Sequence, residues 1–112
     1  MKFHLDGSQP NKNQIFVFGS NLAGIHGAGA AKQAALRYGA KYGQGVGLRG
    51  QSYAIPTKDH DIETLPLDII SRYITNFVRF TNDNPQMQFF VTRIGCGLAG
   101  LKDKDIAPMF KG

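Results

Sequence analysis

The segment from Ile15 to Tyr38 constrains the fold most strongly, because its pattern predicts a strand, a glycine-rich loop and a helix in succession. Its first four residues, through Phe18, are all β-branched or aromatic, which is typical of a strand buried on both faces of a parallel sheet. From Gly29 to Tyr38 apolar residues recur at helical spacing, and Gly39 follows where a helix would end. The segment therefore predicts an α/β fold with a ligand-binding loop between its strand and its helix.

The loop between this strand and helix contains glycines at positions 19, 24, 27 and 29, which allow a bulky group to approach the backbone closely. The first N–H groups of the following helix lack helical partners and lie at the positive end of the helix dipole, which favours a phosphate there. The spacing Gly24-x-x-Gly27-x-Gly29 matches neither the dinucleotide fingerprint nor a P-loop. The loop therefore predicts anion binding, with a simple tight connection between strand and helix as an alternative of equal weight.

The remaining segments continue the alternation of strands and helices. In chain order, the predicted elements are a strand over 1–6, a loop or short hairpin over 39–50, a strand over 51–55 that Pro56 ends, a long helix from Thr64 to a stop at 82–85, a strand over 88–94 and a short helix over 103–110. This order predicts a mostly parallel sheet with helices on both faces. With no linker and no internal repeat, residues 1–112 are predicted to form one domain.

The composition bounds the classes of function. No apolar run approaches the roughly 18 residues that cross a bilayer, and the N-terminus has no signal-peptide pattern, so we expect no membrane partner and a cytoplasmic location. The single Cys96 excludes an intramolecular disulfide, and the histidines and acidic residues show no metal-ligand spacing. Thirteen Lys and Arg residues against eight Asp and Glu residues give a net charge of +5. This charge favours a nucleotide or nucleic acid partner, with solvated basic side chains as the simpler alternative.

Three short motifs follow the predicted strands in order. Residues 17–31, VFGSNLAGIHGAGAA, match a strand followed by Asn-x-x-Gly-x-x-Gly-x-Gly-x-Ala. Residues 55–58, IPTK, match Pro-Thr-Lys, and residues 94–101, IGCGLAGL, match Gly-Cys-Gly-Leu-x-x-Leu. In these motifs the chain resembles the macro domain, the ADP-ribose-binding fold, and it is most similar to the branch of DarG-type DNA ADP-ribosyl glycohydrolases.

The resemblance implies a three-layer α/β/α fold with a mostly parallel central sheet. Because Gly112 lies near where the family has a further helix and a last strand, the chain is either a shortened piece or a minimal version with an open sheet edge. The resemblance also implies that the domain binds ADP-ribose and removes it from a modified macromolecule such as DNA, with Lys58 as the catalytic lysine and no cofactor. Asn21 would approach the distal ribose, and the two glycine loops would hold the phosphates. The implied ligand-binding residues are Ser20, Asn21, Gly24, His26, Gly27, Gly29, Thr57, Gly95, Cys96, Gly97, Leu98, Ala99 and Gly100.

The residues themselves leave other roles open. Asn21 is also a typical turn residue that tolerates a left-handed backbone, and Lys58 is also a solvated lysine at the end of a strand. Cys96 is expected to be a buried thiol inside the second glycine loop rather than a nucleophile, since no histidine is placed in a recognisable pattern to activate it. His26 and His60 are expected to be solvent-facing or secondary contacts rather than catalytic bases.

Two departures from the family pattern bear on function. Ala99 stands where some related hydrolases have a catalytic aspartate, which excludes a paired lysine–aspartate mechanism and leaves a lysine-centred one. The order Asp6-Gly7 reverses the family's Gly-Asp order, which leaves the usual acidic contact with adenine open. The alternatives to a hydrolase are a non-catalytic module that binds ADP-ribose or a related nucleotide diphosphate, and a phage structural or tail-associated protein.

Overall fold

A computed structural model describes residues 10–92, Ile94 and Phe110 of the chain. The elements are the strands β1 (Gln14–Asn21), β2 (Gly47–Arg49), β3 (Ser52–Lys58) and β4 (Gln88–Val91), and the helices α1 (Gly29–Arg37) and α2 (Leu67–Asp83). In the sheet order β2-β3-β1-β4, β1 pairs in parallel with β3 and β4, and β2 pairs antiparallel with β3. The described part of the chain is therefore a small α/β domain with a mixed four-stranded sheet, and at that level the predicted fold class is confirmed.

β1 lies inside the described sheet and is buried on both faces. Phe16, Val17 and Phe18 are each at most 5% exposed. Because side chains alternate along a strand, Phe16 and Phe18 join one core cluster and Val17 joins the other. The prediction of a doubly buried strand at 15–18 is thus confirmed, but β1 continues to Asn21, so Gly19 lies in the strand and not in the loop where the sequence predicts it.

The two helices cover opposite faces of this sheet. Ala31 and Ala34 of α1 pack in the cluster of Phe16 and Phe18, where small side chains let the helix approach the strands closely. The cluster on the Val17 side is larger and is covered by α2. Its buried members are Val17, Tyr53, Ile55, Ile70, Ile74, Phe77, Val91, Ile94 and Phe110. The sheet is therefore enclosed between the two described helices.

α2 is an amphipathic helix whose apolar side fills the larger core cluster. Its buried residues Ile70, Ile74 and Phe77 recur at helical spacing, as the sequence pattern predicts. The Phe77 ring lies 4.8 Å from the Tyr53 ring and 5.4 Å from the Phe89 ring, centroid to centroid, in edge-to-face geometry. Burying a side chain of this size contributes about 2 to 3 kcal/mol, so these contacts hold α2 on the sheet.

α2 begins at Leu67 rather than at Thr64, where the sequence predicts its start. Thr64 instead forms an isolated antiparallel bridge with Lys58. The next residue, Leu65, donates its N–H to the Thr57 carbonyl oxygen at 2.8 Å. The chain therefore stays extended before the helix because it pairs with the end of β3.

The prediction that Pro56 ends the strand is wrong, because β3 runs through Pro56 to Lys58. The Gln51 carbonyl oxygen accepts a hydrogen bond of 2.9 Å from the Phe16 N–H, so odd-numbered residues in this part of β3 direct their backbone groups towards β1. Pro56 therefore directs its nitrogen to the other side, where β2 stops opposite Ala54. No ladder hydrogen bond is needed there, so the missing N–H of proline does not interrupt the strand.

Several predicted segments lie outside the described residues. They are the strand over 1–6, the second glycine loop over 95–100 and most of the short helix over 103–110, of which Phe110 is described and buried. The glycine-rich segment 39–50 contributes β2 to a short hairpin with β3, which is one of the two forms that the sequence allows. Among the described residues, no helix is long and apolar enough to cross a membrane.

Tyr53 makes the free energy of unfolding depend on pH in alkaline solution. Burial raises the pKa of its hydroxyl above the ordinary value of 10.0. The unfolded chain therefore loses this proton at a lower pH than the folded chain, so the stability that the group contributes is present below about pH 10 and falls as the pH rises further. We expect Tyr53→Phe to weaken the decline in the free energy of unfolding between about pH 9.5 and 11, measured by urea titration. Equal declines in the two proteins would contradict this expectation.

Candidate ligand-binding site

β1 and β3 end side by side at the carboxyl edge of the sheet. Their last residues, Asn21 and Lys58, are register partners, and the Leu22 N–H donates a hydrogen bond of 2.9 Å to the Lys58 carbonyl oxygen. The register shifts between Ser20 and Asn21, an irregularity that re-aims side chains at the end of a strand. The structure thus brings together the residues that the sequence-based hypothesis gives to the distal ribose and to catalysis.

The connections that leave β1 and β3 pass to opposite faces of the sheet. β1 continues into α1, which packs with Phe16 and Phe18, whereas β3 continues into α2, which packs with Val17. Adjacent parallel strands whose connections diverge in this way leave a crevice outside their carboxyl ends, where open α/β sheets bind ligands. The topology therefore makes the surroundings of Asn21 and Lys58 the candidate site.

Asn21 closes the start of the loop after β1 with its side chain. Its Nδ2 donates to the Ile25 carbonyl oxygen at 2.8 Å, and its Oδ1 accepts from the Ile25 N–H at 2.9 Å. These bonds give Asn21 the turn-forming role that the sequence leaves open, although its backbone is not left-handed. One N–H and one oxygen lone pair of the amide are not used in this contact, so Asn21 keeps hydrogen-bonding capacity for a ligand.

Two loops beside this site are joined by hydrogen bonds. They are residues 22–28, which follow β1, and residues 41–46, which precede β2, and we call them the loop pair. Hydrogen bonds join them from the Gly43 N–H to the Gly24 carbonyl oxygen at 2.9 Å and from the Tyr42 hydroxyl to the His26 carbonyl oxygen at 3.0 Å. Sequence reasoning missed the second loop, because no local pattern shows which loop a glycine-rich segment will contact.

His26 lies inside the loop pair and is fully buried. Its Nε2 lies 3.0 Å from the Lys41 carbonyl oxygen and 3.2 Å from the Gln44 carbonyl oxygen. Because a carbonyl oxygen only accepts, Nε2 carries a proton and donates it, while Nδ1 has no hydrogen-bond partner in the described residues. Solvent exposure of His26, one of its two expected roles, is wrong because the 41–46 loop covers the ring. In the described structure His26 fastens the two loops together.

Two glycines allow the loop pair to close. Gly24 has a φ of 72°, and a Cβ at this position would overlap the backbone of Gly43 and Gln44. A Cβ on Gly45 would overlap the carbonyl oxygen of Asn21. Gly24, which the sequence predicts in the first phosphate loop, therefore has a packing role, and its contact with a ligand stays a prediction.

The open end of the loop pair is the start of α1. Gly27 and Gly29 are exposed, and nothing lies within 4 Å of the place that a Cβ on Gly27 would take. Ala28 precedes α1 without a side-chain capping bond, and the first turn of α1 contains no acidic residue. The first N–H groups of α1 can therefore donate hydrogen bonds to an anion, as the sequence predicts for this loop.

Ser20 and Thr57 are buried and use their hydroxyls inside the protein. Ser20 Oγ donates to the Gly45 carbonyl oxygen, and Thr57 Oγ1 donates to the Ser20 carbonyl oxygen at 3.3 Å. Because they directly precede Asn21 and Lys58, these bonds tie the strand ends to each other and to the loop pair. The described contacts give both residues a positioning role, and their direct contact with a ligand stays a prediction.

The segment after Lys58 forms a turn that its own hydrogen bonds close. The Asp59 carboxylate accepts from the Asp61 and Glu63 N–H groups at 2.8 and 3.0 Å. Ile62, in the same turn, has a φ of 64°, a left-handed conformation that costs about 1 to 2 kcal/mol and is unusual for a β-branched residue. The sequence places Asp59 at this edge but does not show that its carboxylate closes the turn, although an aspartate after a strand is a typical turn residue.

The other predicted site residues add little to this geometry. Gly95, Cys96, Gly97, Leu98, Ala99 and Gly100 lie outside the described residues, and His60 is exposed, in agreement with one of its two expected roles. In residues 10–92, with Ile94 and Phe110, no three His, Cys, Asp or Glu side chains are grouped to hold a metal ion. Comparison of the chain with protein-family models, curated proteins and solved structures finds no match.

The steric role of Gly45 can be tested by adding one methyl group. We expect Gly45→Ala to lower the free energy of unfolding by at least about 2 kcal/mol, because the added Cβ must displace the backbone of Asn21. Gly27→Ala is the matched control, since its Cβ has open space, and it should change the stability by less than about 0.5 kcal/mol. Urea unfolding followed by circular dichroism measures both, and equal effects would contradict the close contact of the loop pair.

Proposed function

We propose that this domain binds ADP-ribose at the carboxyl edge of β1 and β3 and removes it from a modified macromolecule through Lys58. The observation that carries the proposal is the pairing of Asn21 with Lys58 at the point where the connections of the two strands diverge. The motif resemblance in residues 17–31 and 55–58 supports the same site, because the first motif passes through Asn21 and the second ends at Lys58.

The loop pair and α1 offer the groups that a diphosphate requires. The exposed backbone at Gly27 and Gly29 lies at the start of α1, where uncapped N–H groups and the helix dipole favour a phosphate. The remaining N–H of the Asn21 amide would then donate to a hydroxyl of the distal ribose. The diphosphate and the ribose together would fix the ligand relative to Lys58.

Lys58 would act on the bond between the anomeric carbon of the distal ribose and the modified atom. Breaking this bond builds positive charge on the sugar, so the reaction needs a group that transfers a proton or attacks the carbon. A lysine with a neutral amine attacks the carbon or accepts a proton from the attacking water, whereas a lysine with a protonated amine donates a proton to the leaving atom. Lys58 is partly buried at the end of β3, and its backbone is held by the Leu22 N–H, so its Cα is fixed next to that of Asn21.

A non-catalytic module that binds ADP-ribose or a related nucleotide diphosphate is the second candidate. Ala99 keeps this candidate open, because it stands where some hydrolases of the family have a catalytic aspartate. The two candidates share one binding site and differ in the role of Lys58. Turnover therefore separates them, whereas affinity does not.

Calorimetric titration with ADP-ribose, with AMP as the control ligand, tests the site. We expect ADP-ribose to bind much more tightly than AMP, because the second phosphate and the distal ribose add contacts. On ADP-ribosylated DNA and protein, Lys58→Ala should lower the rate of ADP-ribose release by about 100-fold or more and change the ADP-ribose affinity little. Lys12→Ala is the matched control, because Lys12 is exposed in the turn before β1, at the opposite edge of the sheet.

The outcomes separate the candidates. Tight binding with release that Lys58→Ala abolishes supports the hydrolase. Tight binding without release by the unaltered protein supports the non-catalytic module. Equal binding of ADP-ribose and AMP, or no binding of either, contradicts both.

A further inference from the structure

Charge is strongly segregated along the chain. From Gly7 to Lys58, both included, the sequence contains six Lys and Arg residues and no Asp or Glu. The carboxylates of the described residues all lie in the following stretch, which also contains Arg72 and Arg79; they are Asp59, Asp61, Glu63, Asp68 and Asp83. The net charge of +5 therefore does not describe a uniformly basic surface.

The fold converts this segregation into two different sides. α1 and the segment after it pack on the Phe16 side of the sheet, whereas α2 packs on the Val17 side. The basic stretch thus supplies α1, the loop pair and β2, and in the described residues these elements bear no carboxylate. Lys32 on α1, Lys41 in the loop pair and Arg49 on β2 are all exposed. Arg37, also on α1, already interacts with another group.

An exposed aromatic ring lies among these cations. Tyr42 directly follows Lys41 and is 60% exposed, although a tyrosine of this size normally buries much of its ring. Its hydroxyl donates to the His26 carbonyl oxygen at 3.0 Å, and its ring centroid lies 5.6 Å from that of His26. Because His26 is fully buried, this contact anchors the Tyr42 ring at the surface. A fixed, exposed ring is a platform on which a planar group can stack.

We infer that this side of the protein, which we call the basic face (Lys32, Lys41, Tyr42 and Arg49), binds single-stranded nucleic acid. The three cations would neutralise phosphates of the backbone, and Tyr42 would stack against one base. This combination of positive charge with an aromatic platform is how proteins bind single strands without reading their sequence. An acidic protein would use the cations but has no need of the stacking ring. The inference does not depend on ADP-ribose and applies to unmodified nucleic acid.

Among the described residues, the carboxylates lie in the turn after Lys58 and on α2, and they would orient such a complex. Asp68 and Asp83, at the two ends of α2, and the carboxylates of the turn after Lys58 repel a polyanion from that side. Arg72 and Arg79 are exposed on α2 among these acidic groups. They therefore provide a charge-matched control for substitutions on the basic face.

The test uses fluorescence anisotropy with a labelled, unmodified single-stranded DNA of mixed sequence and about 12 nucleotides, a length that a small domain can cover. The first double variant combines Lys32→Gln and Lys41→Gln, and the second combines Arg72→Gln and Arg79→Gln. Both pairs of substitutions lower the net charge equally. Between about 50 and 200 mM salt, the first pair should reduce the slope of log affinity against log salt by about 1.4, at about 0.7 for each lost phosphate contact. The second pair should leave the slope nearly unchanged.

The stacking platform is tested separately at Tyr42. Tyr42→Ala should weaken binding about tenfold, whereas Tyr42→Phe, which keeps the ring, should restore most of the affinity. Thermal melts of each variant show whether the loss of the bond to His26 has unfolded the loop pair. An equal loss of affinity in Tyr42→Phe and Tyr42→Ala, with melting temperatures like that of the unaltered protein, would overturn the stacking role.

Two further outcomes would overturn the inference as a whole. One is an equal loss of affinity in the two double variants, which would show a response to net charge alone. The other is tighter binding to phosphatidylserine vesicles or to polyglutamate than to the oligonucleotide, which would point to a membrane or an acidic protein. Failure here is distinguishable from failure of the proposed function, because this test uses an unmodified oligonucleotide and the calorimetry of the proposed function uses ADP-ribose, so either ligand can bind when the other does not.

Discussion

The burial of β1 on both faces and along both edges is the constraint on which the rest of the described structure depends. Phe16 and Phe18 require a cover on one face and Val17 requires one on the other, so a helix packs on each side. Parallel pairing with both β3 and β4 then fixes where each strand ends. Because the connections after β1 and β3 must reach opposite helices, they diverge at the carboxyl edge and leave the candidate site between them.

The loops at this edge are ordered by backbone contacts rather than by a hydrophobic core. Gly24 and Gly45 let two chain segments approach more closely than any side chain would permit. The buried His26 and the paired hydrogen bonds of Asn21 hold the same loops from inside. Gly24 and His26, which the sequence predicts as ligand contacts, therefore have a structural role. The groups that stay open for a ligand are the exposed backbone at the start of α1, one N–H of the Asn21 amide and Lys58.

The local patterns of the sequence predict the elements well, and the contacts between distant segments are what they miss. Consecutive apolar residues at 15–18 and the apolar stripe after Ile69 depend only on spacing, so β1 and α2 were predictable. The sequence does not show whether Pro56 ends the strand, because the cost of a proline depends on which neighbouring strand its nitrogen faces. The burial of His26 is not predictable from the sequence, because the 41–46 loop covers its ring. The basic face likewise depends on the packing of α1 and α2 on opposite sides of the sheet. The ligand-binding role of residues 95–100 stays a prediction.

The most direct test of the central claim, that the ligand binds where β1 and β3 end, is an NMR titration of the ¹⁵N-labelled protein with ADP-ribose. If the claim is correct, the largest amide shift changes will fall in residues 21–29 and 57–59, at the carboxyl edge of the sheet. Changes that are absent, or that are largest in residues 11–14 and 84–88 at the opposite edge, would contradict it.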